Sequence, residues 1–145
     1  MKDQVFRVEY FVTTADDKPG EGAGLGKRLA QEGVNLVAVL AFPNGSGKIQ
    51  VDLVPEHPEQ LTKAARKLGL TLSGPKIAFL IQGTDRAGAM AEILGRLGTA
   101  SINVTATCGV AGGGNRYGGL LWVKPADVEN ASRALGAITM ATHHV

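Results

Sequence analysis

Asp17-Lys18-Pro19-Gly20 in the first half of the chain is answered by Asp85-Arg86-Ala87-Gly88 in the second, and Asn35 by Asn103, both at an offset of 68 residues. The apolar positions between them follow in register: Leu25 with Ile93, Leu29 with Leu97, Val34 with Ile102 and Leu36 with Val104. Further on, Lys67-Leu68-Gly69 matches Ala134-Leu135-Gly136 at an offset of 67, so the copies differ by one net residue. A repeat at a fixed offset restricts the fold to one small unit used twice. With Gly74-Pro75 as the boundary, the 145 residues divide into units 1–74 and 75–145. Units of roughly 70 residues lie near the lower limit for a self-sufficient core, so each is expected to lean on the other or on a second chain.

Within the first copy, Phe6, Val8, Tyr10 and Val12 alternate with other residues, which predicts a strand with one buried face. The stretch from Thr13 to Pro19 reads as a loop. Leu25 and Leu29 stand four apart within Gly20 to Glu32 and are followed by Gly33, which predicts a short helix with glycine just past its end. Val34 to Phe42 and Ile49 to Val54 are β-rich runs flanking Pro43-Asn44-Gly45-Ser46-Gly47, which predicts a hairpin. Leu61, Ala64, Ala65 and Leu68 make the stripe of an amphipathic helix. Leu70 to Leu72 should close the copy as a strand.

The second copy repeats the order: a strand at Ile77 to Gln82, a helix with Met90, Ile93, Leu94 and Leu97 inward, and strands at Ile102 to Cys108 and Leu120 to Val123. Between those strands the chain carries glycine at 109, 112, 113, 114, 118 and 119, which reads as a loop. A helix with Val128, Ala131, Ser132 and Leu135 follows, then an alternating Ile138 and Met140. The expected fold is α+β: two ferredoxin-like βαββαβ units, each an antiparallel four-stranded sheet with helices on one face, packed side by side.

The composition narrows the function. Hydrophobic residues make up 44% and charged residues 19%, the balance of a globular protein. A net charge of +2 with scattered Lys and Arg lacks the basic stripe of a nucleic-acid binder, and 5% aromatics with Trp122 alone on its strand leaves no RNA-stacking platform. The longest apolar runs, Leu36 to Phe42 and Ile77 to Ile81, fall far short of the roughly 20 residues of a membrane span. Met1-Lys2-Asp3-Gln4 passes directly into a strand pattern without a signal core, so a cytoplasmic protein is expected. The single cysteine, Cys108, agrees with a reducing compartment and is expected to be a buried hairpin residue, not a nucleophile.

Other motifs fail. Gly20-Glu21-Gly22-Ala23-Gly24-Leu25-Gly26-Lys27-Arg28 lacks the Ser or Thr that a phosphate loop needs after its lysine, and fits no GxGxxG frame. His57, His143 and His144 have no metal-ligand spacing with Cys108, so no metal or cofactor is expected. Asp16-Asp17 are adjacent in a loop, and no triad is present, so no catalytic residues are expected.

The repeated junction between first strand and first helix carries what chemistry there is. Gly20 and Gly88 open the helices, where a missing Cβ lets a ligand approach and the first-turn N–H groups can seat a carboxylate or phosphate. Gly22, Gly24 and Gly26 in the first copy call for a reason, either close approach of a ligand or neighbouring unit, or a frayed first turn. Asp17 and Asp85 either bond the helix-start N–H groups or receive a ligand ammonium, or are plain turn residues. Asn35 and Asn103 interrupt apolar strands, so each needs partners for donor and acceptor, in a neighbouring loop or a zwitterion.

DKPG before a helix with GVNL after it, and DRAG followed by SINV, resemble the ACT domain, and the resemblance covers about Phe6 to about Met140. It implies a free-standing tandem of regulatory units that bind amino acids where such domains pair. The ligand-binding positions it implies are Asp17, Lys18, Pro19, Gly20, Glu21, Gly22 and Asn35 in the first copy and Asp85, Arg86, Ala87, Gly88, Ala89 and Asn103 in the second. Gly20 and Gly88 would face the ligand carboxylate, and the asparagines would offer amides. Ala87 departs from the pattern where the first copy has Pro19. The expected partners are an amino acid, a second copy of the chain as a homodimer, and a metabolic enzyme. The main function expected is a non-catalytic amino-acid sensor; the alternative is a regulatory subunit of a biosynthetic enzyme, similar to the small subunits of acetolactate synthase.

Overall fold

The computed structural model describes residues 3–140. In chain order the elements are β1 (Asp3–Asp16), α1 (Glu21–Gln31), β2 (Leu36–Pro43), β3 (Lys48–Pro55), α2 (Pro58–Leu68), β4 (Ser73–Thr84), α3 (Ala89–Thr99), β5 (Val104–Gly113), β6 (Arg116–Val123), a 3-10 turn (Pro125–Asp127), α4 (Val128–Leu135) and β7 (Ile138–Thr139). The βαββαβ order is present twice, with β4 ending the first copy and opening the second. The chain separates into two units: Glu9–Lys76, and Ile77–Met140 together with the β1 residues up to Val8. This grouping differs from a division at Gly74-Pro75 for the first eight residues, because β1 is 14 residues long and serves both units.

In the first unit the sheet order is β2-β3-β1-β4. β1 and β3 run antiparallel from Phe11 opposite Leu53 to Asp16 opposite Lys48. The strand therefore continues through Thr13 to Asp16, where the sequence suggested a loop. Phe11, Val51 and Leu53 project to one face, onto Leu25 and Leu29 of α1 and Leu61 and Ala64 of α2. Burying a side chain such as Leu29 or Leu61 contributes roughly 1.5–3 kcal/mol. The β2–β3 turn is held by Asn44, whose Oδ1 accepts from the Ser46 N–H at 3.1 Å and the Ser46 hydroxyl at 2.7 Å. Leu70 to Leu72 is not a strand. It is an extended connection whose Leu70 and Leu72 pack on this core and whose Thr71 carbonyl accepts a 3.0 Å bond from the Thr13 hydroxyl.

In the second unit the order is β1-β4-β6-β5, and β7 lies parallel to β1 with Phe6 opposite Ile138. The leading residues of β1 thus add a strand between β4 and β7 to the expected four. Val5 joins Phe79, Ile81, Ile93, Leu97, Leu121 and Leu135 in the core. The glycine-rich stretch is strand, not loop. β5 and β6 pair from Val104 opposite Val123 to Gly113 opposite Arg116, with bulges, and only Gly114 and Asn115 turn the chain. Both have φ of 60°, the left-handed pair that a tight hairpin requires. Cys108 stands exposed on β5, against the expectation of burial. No helix among the described residues is long and apolar enough to cross a membrane. His143 and His144 lie outside the described residues.

Candidate functional site

The two repeated loops adopt one backbone conformation. Gly20 and Gly88 have φ of 89° and 80°, left-handed values that side chains rarely adopt, and each stands immediately before its helix. Glu21 N–H donates to the Lys18 carbonyl as Ala89 N–H does to Arg86, and Gly24 N–H to Gly20 as Glu92 N–H does to Gly88. Asp17 N–H reaches the Gly47 carbonyl at 3.1 Å, and Asp85 N–H the Asn115 carbonyl at 2.9 Å, so each loop is hooked to the hairpin turn of its own unit. Neither helix has a side-chain cap, so the first-turn N–H groups of Gly22 and Ala23, and of Met90 and Ala91, have no intrahelical acceptor.

The side chains are not equivalent. Lys18 is exposed, its Nζ 3.7 Å from Asp16 and 3.8 Å from Glu21, separations at which water screens the attraction. Arg86, at the matching position, turns inward and grips Asp3 with two bonds, Nη1 to Oδ1 at 3.0 Å and Nη2 to Oδ2 at 2.9 Å. Nη1 also donates to the Thr84 carbonyl at 3.0 Å and Nη2 to Glu92 Oε2 at 2.9 Å. All four terminal hydrogens of the guanidinium are thereby engaged. Hydrogen bonding from Arg86 holds the Asp3 carboxyl below the usual carboxylate range, against the opposing effect of burial. Burial, reinforced by the Asp3 charge, pushes the Tyr117 hydroxyl up to about 12. That hydroxyl lies against Asp3, to which it hydrogen-bonds, and Arg86 Nε is buried with no acceptor among the described residues. Gly83 makes room for the cluster: a Cβ there would fall 2.0 Å from Asp3 Oδ1 and 2.7 Å from Tyr117 Cε1.

Beside this cluster an open cavity of about 350 Å³ is lined by Asp85, Arg86, Gly88, Ala89, Met90 and Ala91 from the loop and helix, and by Gly109, Val110, Ala111 and Tyr117 from the hairpin. Met90 lies across the hairpin glycines: a Cβ on Gly109 would come 3.1 Å from its Cγ, and one on Gly119 3.1 Å from its Sδ.

Four of the second-copy positions singled out in the sequence, Asp85, Arg86, Gly88 and Ala89, meet at this cavity, while Ala87 is exposed in the same loop. In the first copy Asp17, Lys18, Pro19, Gly20, Glu21 and Gly22 run contiguously around the start of α1, and a Cβ added at Gly20, Gly22, Gly24 or Gly26 would meet nothing beyond its own stretch of backbone within 4 Å among the described residues. The asparagines stand one residue before the strands they were expected to open. Asn35 and Asn103 are exposed in the connections that precede β2 and β5, at the far ends of helices roughly 16 Å long. Asn35 is paired with Glu56, Nδ2 to Oε2 at 2.8 Å, and its carbonyl accepts the Glu56 N–H at 2.9 Å. Met90 was legible only as part of the core stripe. Val110 and Ala111 were hidden in the apparent loop, and Asp3 lies 83 residues from Arg86 with no local pattern to link them.

No family model matches the sequence, and no curated protein matches it. Solved structures match its fold. A Bacteroides thetaiotaomicron protein aligns with a TM-score of 0.75 at 18% identity, over 94% of this chain and 90% of that one. The ligand-free regulatory subunit of aspartate kinase from Thermus thermophilus gives 0.62 at 16%, over 94% and 95%. The regulatory subunit from Thermus flavus gives 0.56 at 15%, over 94% and 95%. The chain thus has the paired ferredoxin-like, ACT-like fold of the regulatory subunits of aspartate kinase, along nearly the whole length of each.

Proposed function

We propose that this chain is a non-catalytic regulatory protein that binds an amino acid at the start of α3. The observation that carries the reading is the 350 Å³ cavity, where helix-start N–H groups without intrahelical acceptors, an exposed aspartate and an apolar wall converge. The N–H groups would receive the ligand carboxylate and Asp85 its ammonium. Likeness to regulatory subunits supports a role exercised on another protein. In this reading a second copy of the chain pairs along an outer strand. β2 exposes Val39 and Phe42 and β5 exposes Val110, apolar side chains on strand edges that invite a partner.

The test is thermal unfolding of the purified chain with each of the twenty amino acids at millimolar concentration. A ligand present at 100 times its Kd should add about 2.7 kcal/mol of stability. Gly88→Val, which strains a left-handed position at the site, should abolish that gain while the protein remains folded. Unchanged stabilisation in the variant would remove this loop from the site.

A second reading rests on the extent of the likeness, which covers 95% of a regulatory subunit that is itself a separate chain. Here the protein would act as the regulatory subunit of an amino-acid biosynthetic enzyme through protein contacts. Stable co-purification with a catalytic chain, in the absence of any amino-acid effect, would favour it.

A further inference from the structure

We infer that the first copy binds a small molecule through a phosphate group, in the cavity where the end of α1 meets α2. That cavity measures about 370 Å³ and is lined by Glu32 and Gly33 from the end of α1 and by Gln60, Lys63, Ala64 and Lys67 from α2. Positions 60, 63, 64 and 67 stand three and four apart, so they share one face of the helix. Ala64 is small and buried at its base, and the other three carry N–H donors on flexible stems.

Three observations give the cavity its chemistry. First, its cations outnumber its acids. Glu32 Oε2 pairs with Lys67 Nζ at 3.1 Å, while Lys63 has no acidic partner among the described residues. Two ammonium groups one helical turn apart repel each other, and an anion between them replaces that repulsion with two attractions. Second, the donors number three. A phosphate monoester brings three strong acceptor oxygens and close to two negative charges, which answers Gln60, Lys63 and Lys67 together; a carboxylate brings two oxygens and one charge. The volume leaves room for more than the phosphate, within the range of about 300–1,000 Å³ typical of small-molecule sites. Third, the fold does not need these charges. At the offsets of the repeat, Glu32, Gln60, Lys63 and Lys67 correspond to Ala100, Asp127, Asn130 and Ala134, and Ala64 to Ala131. The second copy keeps the buried alanine that packs the helix on its sheet and has neither lysine.

The site lies within Glu9–Lys76, a different unit from the cavity at the start of α3, so it stands or falls apart from the amino-acid reading. The test is titration of the isotope-labelled full chain with inorganic phosphate, and separately with acetate, at about pH 8 and constant ionic strength, followed by backbone amide shifts. Phosphate is expected to give saturable shifts at the cavity residues and to bind at least about threefold more tightly than acetate. Lys63→Gln and Lys67→Gln, at exposed positions where the fold tolerates change, should each weaken it about threefold to tenfold. Lys76→Gln, which removes the same charge from an exposed position on β4, should leave it unchanged. Shifts of equal size at Ala100, Asp127, Asn130 and Ala134, or an equal loss in Lys76→Gln, would reduce the effect to general charge attraction and overturn the site. Acetate binding as tightly as phosphate would overturn the choice of phosphate. Absence of saturable shifts at the cavity residues would overturn the inference as a whole.

Discussion

At the residue scale the two copies part most clearly where Lys18 reaches into solvent and Arg86 folds back onto Asp3. Arginine suits the inward role, because its planar fork matches a carboxylate with two parallel bonds. Removing the Asp3 charge should leave Arg86 without its main partner. Asp3→Asn is expected to destabilise the chain by on the order of 2 kcal/mol, measured by urea unfolding at pH 7. The Asp3 carboxyl lies below its unfolded value, so its contribution is complete above about pH 4 and disappears as pH falls through the lower folded value. Tyr117 works in the opposite direction. Its hydroxyl is raised from 10.0 to about 12, so the folded chain holds that proton more tightly than the unfolded chain does. The contribution is full below pH 10 and declines between pH 10 and 12, by on the order of 2 kcal/mol. Tyr117→Phe should flatten that alkaline decline; a decline of unchanged size would assign it to another group. None of this was readable along the chain, since Asp3, Arg86 and Tyr117 come from three distant segments and only pairing of the strands brings them together.

At the element scale, the helices and the base of the second hairpin were legible, and the full length of its strands was not. Leu25 with Leu29, Ile93 with Leu97, and Leu61 with Ala64 and Ala65 repeat at helical spacing, and all of them are buried as that spacing requires. The strands' length was hidden because glycine has two meanings. In a turn it supplies left-handed backbone, as Gly114 does, but Gly109 and Gly119 are paired strand residues kept small beneath Met90. The loops of the candidate site could be located by their repetition, while the apolar half of the cavity came from the hairpin and was missed with it. Glycine has a third meaning in α1. Gly22, Gly24 and Gly26 lie within the helix, exposed, with open space where a Cβ would stand. Gly24→Ala and Gly26→Ala should therefore each stabilise the chain, by up to about 1 kcal/mol, through a smaller loss of backbone entropy. Denaturant midpoints rising without a change in slope would show this; a fall would mean that these positions meet a neighbour beyond the single chain.

At the scale of the whole molecule, the sequence repeat and the folded units do not share a boundary. Strand β1 gives its residues up to Val8 to the unit formed by the second copy and the rest to the first. Deleting residues 1–8 should therefore unsettle the second copy, removing Val5 from its core, Asp3 from Arg86, and the strand to which β7 pairs. Hydrogen exchange is expected to quicken across 77–140 and to change little in the core helices of 9–76; the reverse pattern would contradict the shared strand. This arrangement also imposes an order on biosynthesis. Val5 leaves the ribosome far ahead of Leu135, yet both occupy one core. A nascent chain can complete the core of its first copy while the second is still being translated, but the second must wait for its last helix and must find the leading strand still unclaimed. The segment made early is thus held in reserve, and its premature capture by another edge is the misstep this topology has to avoid.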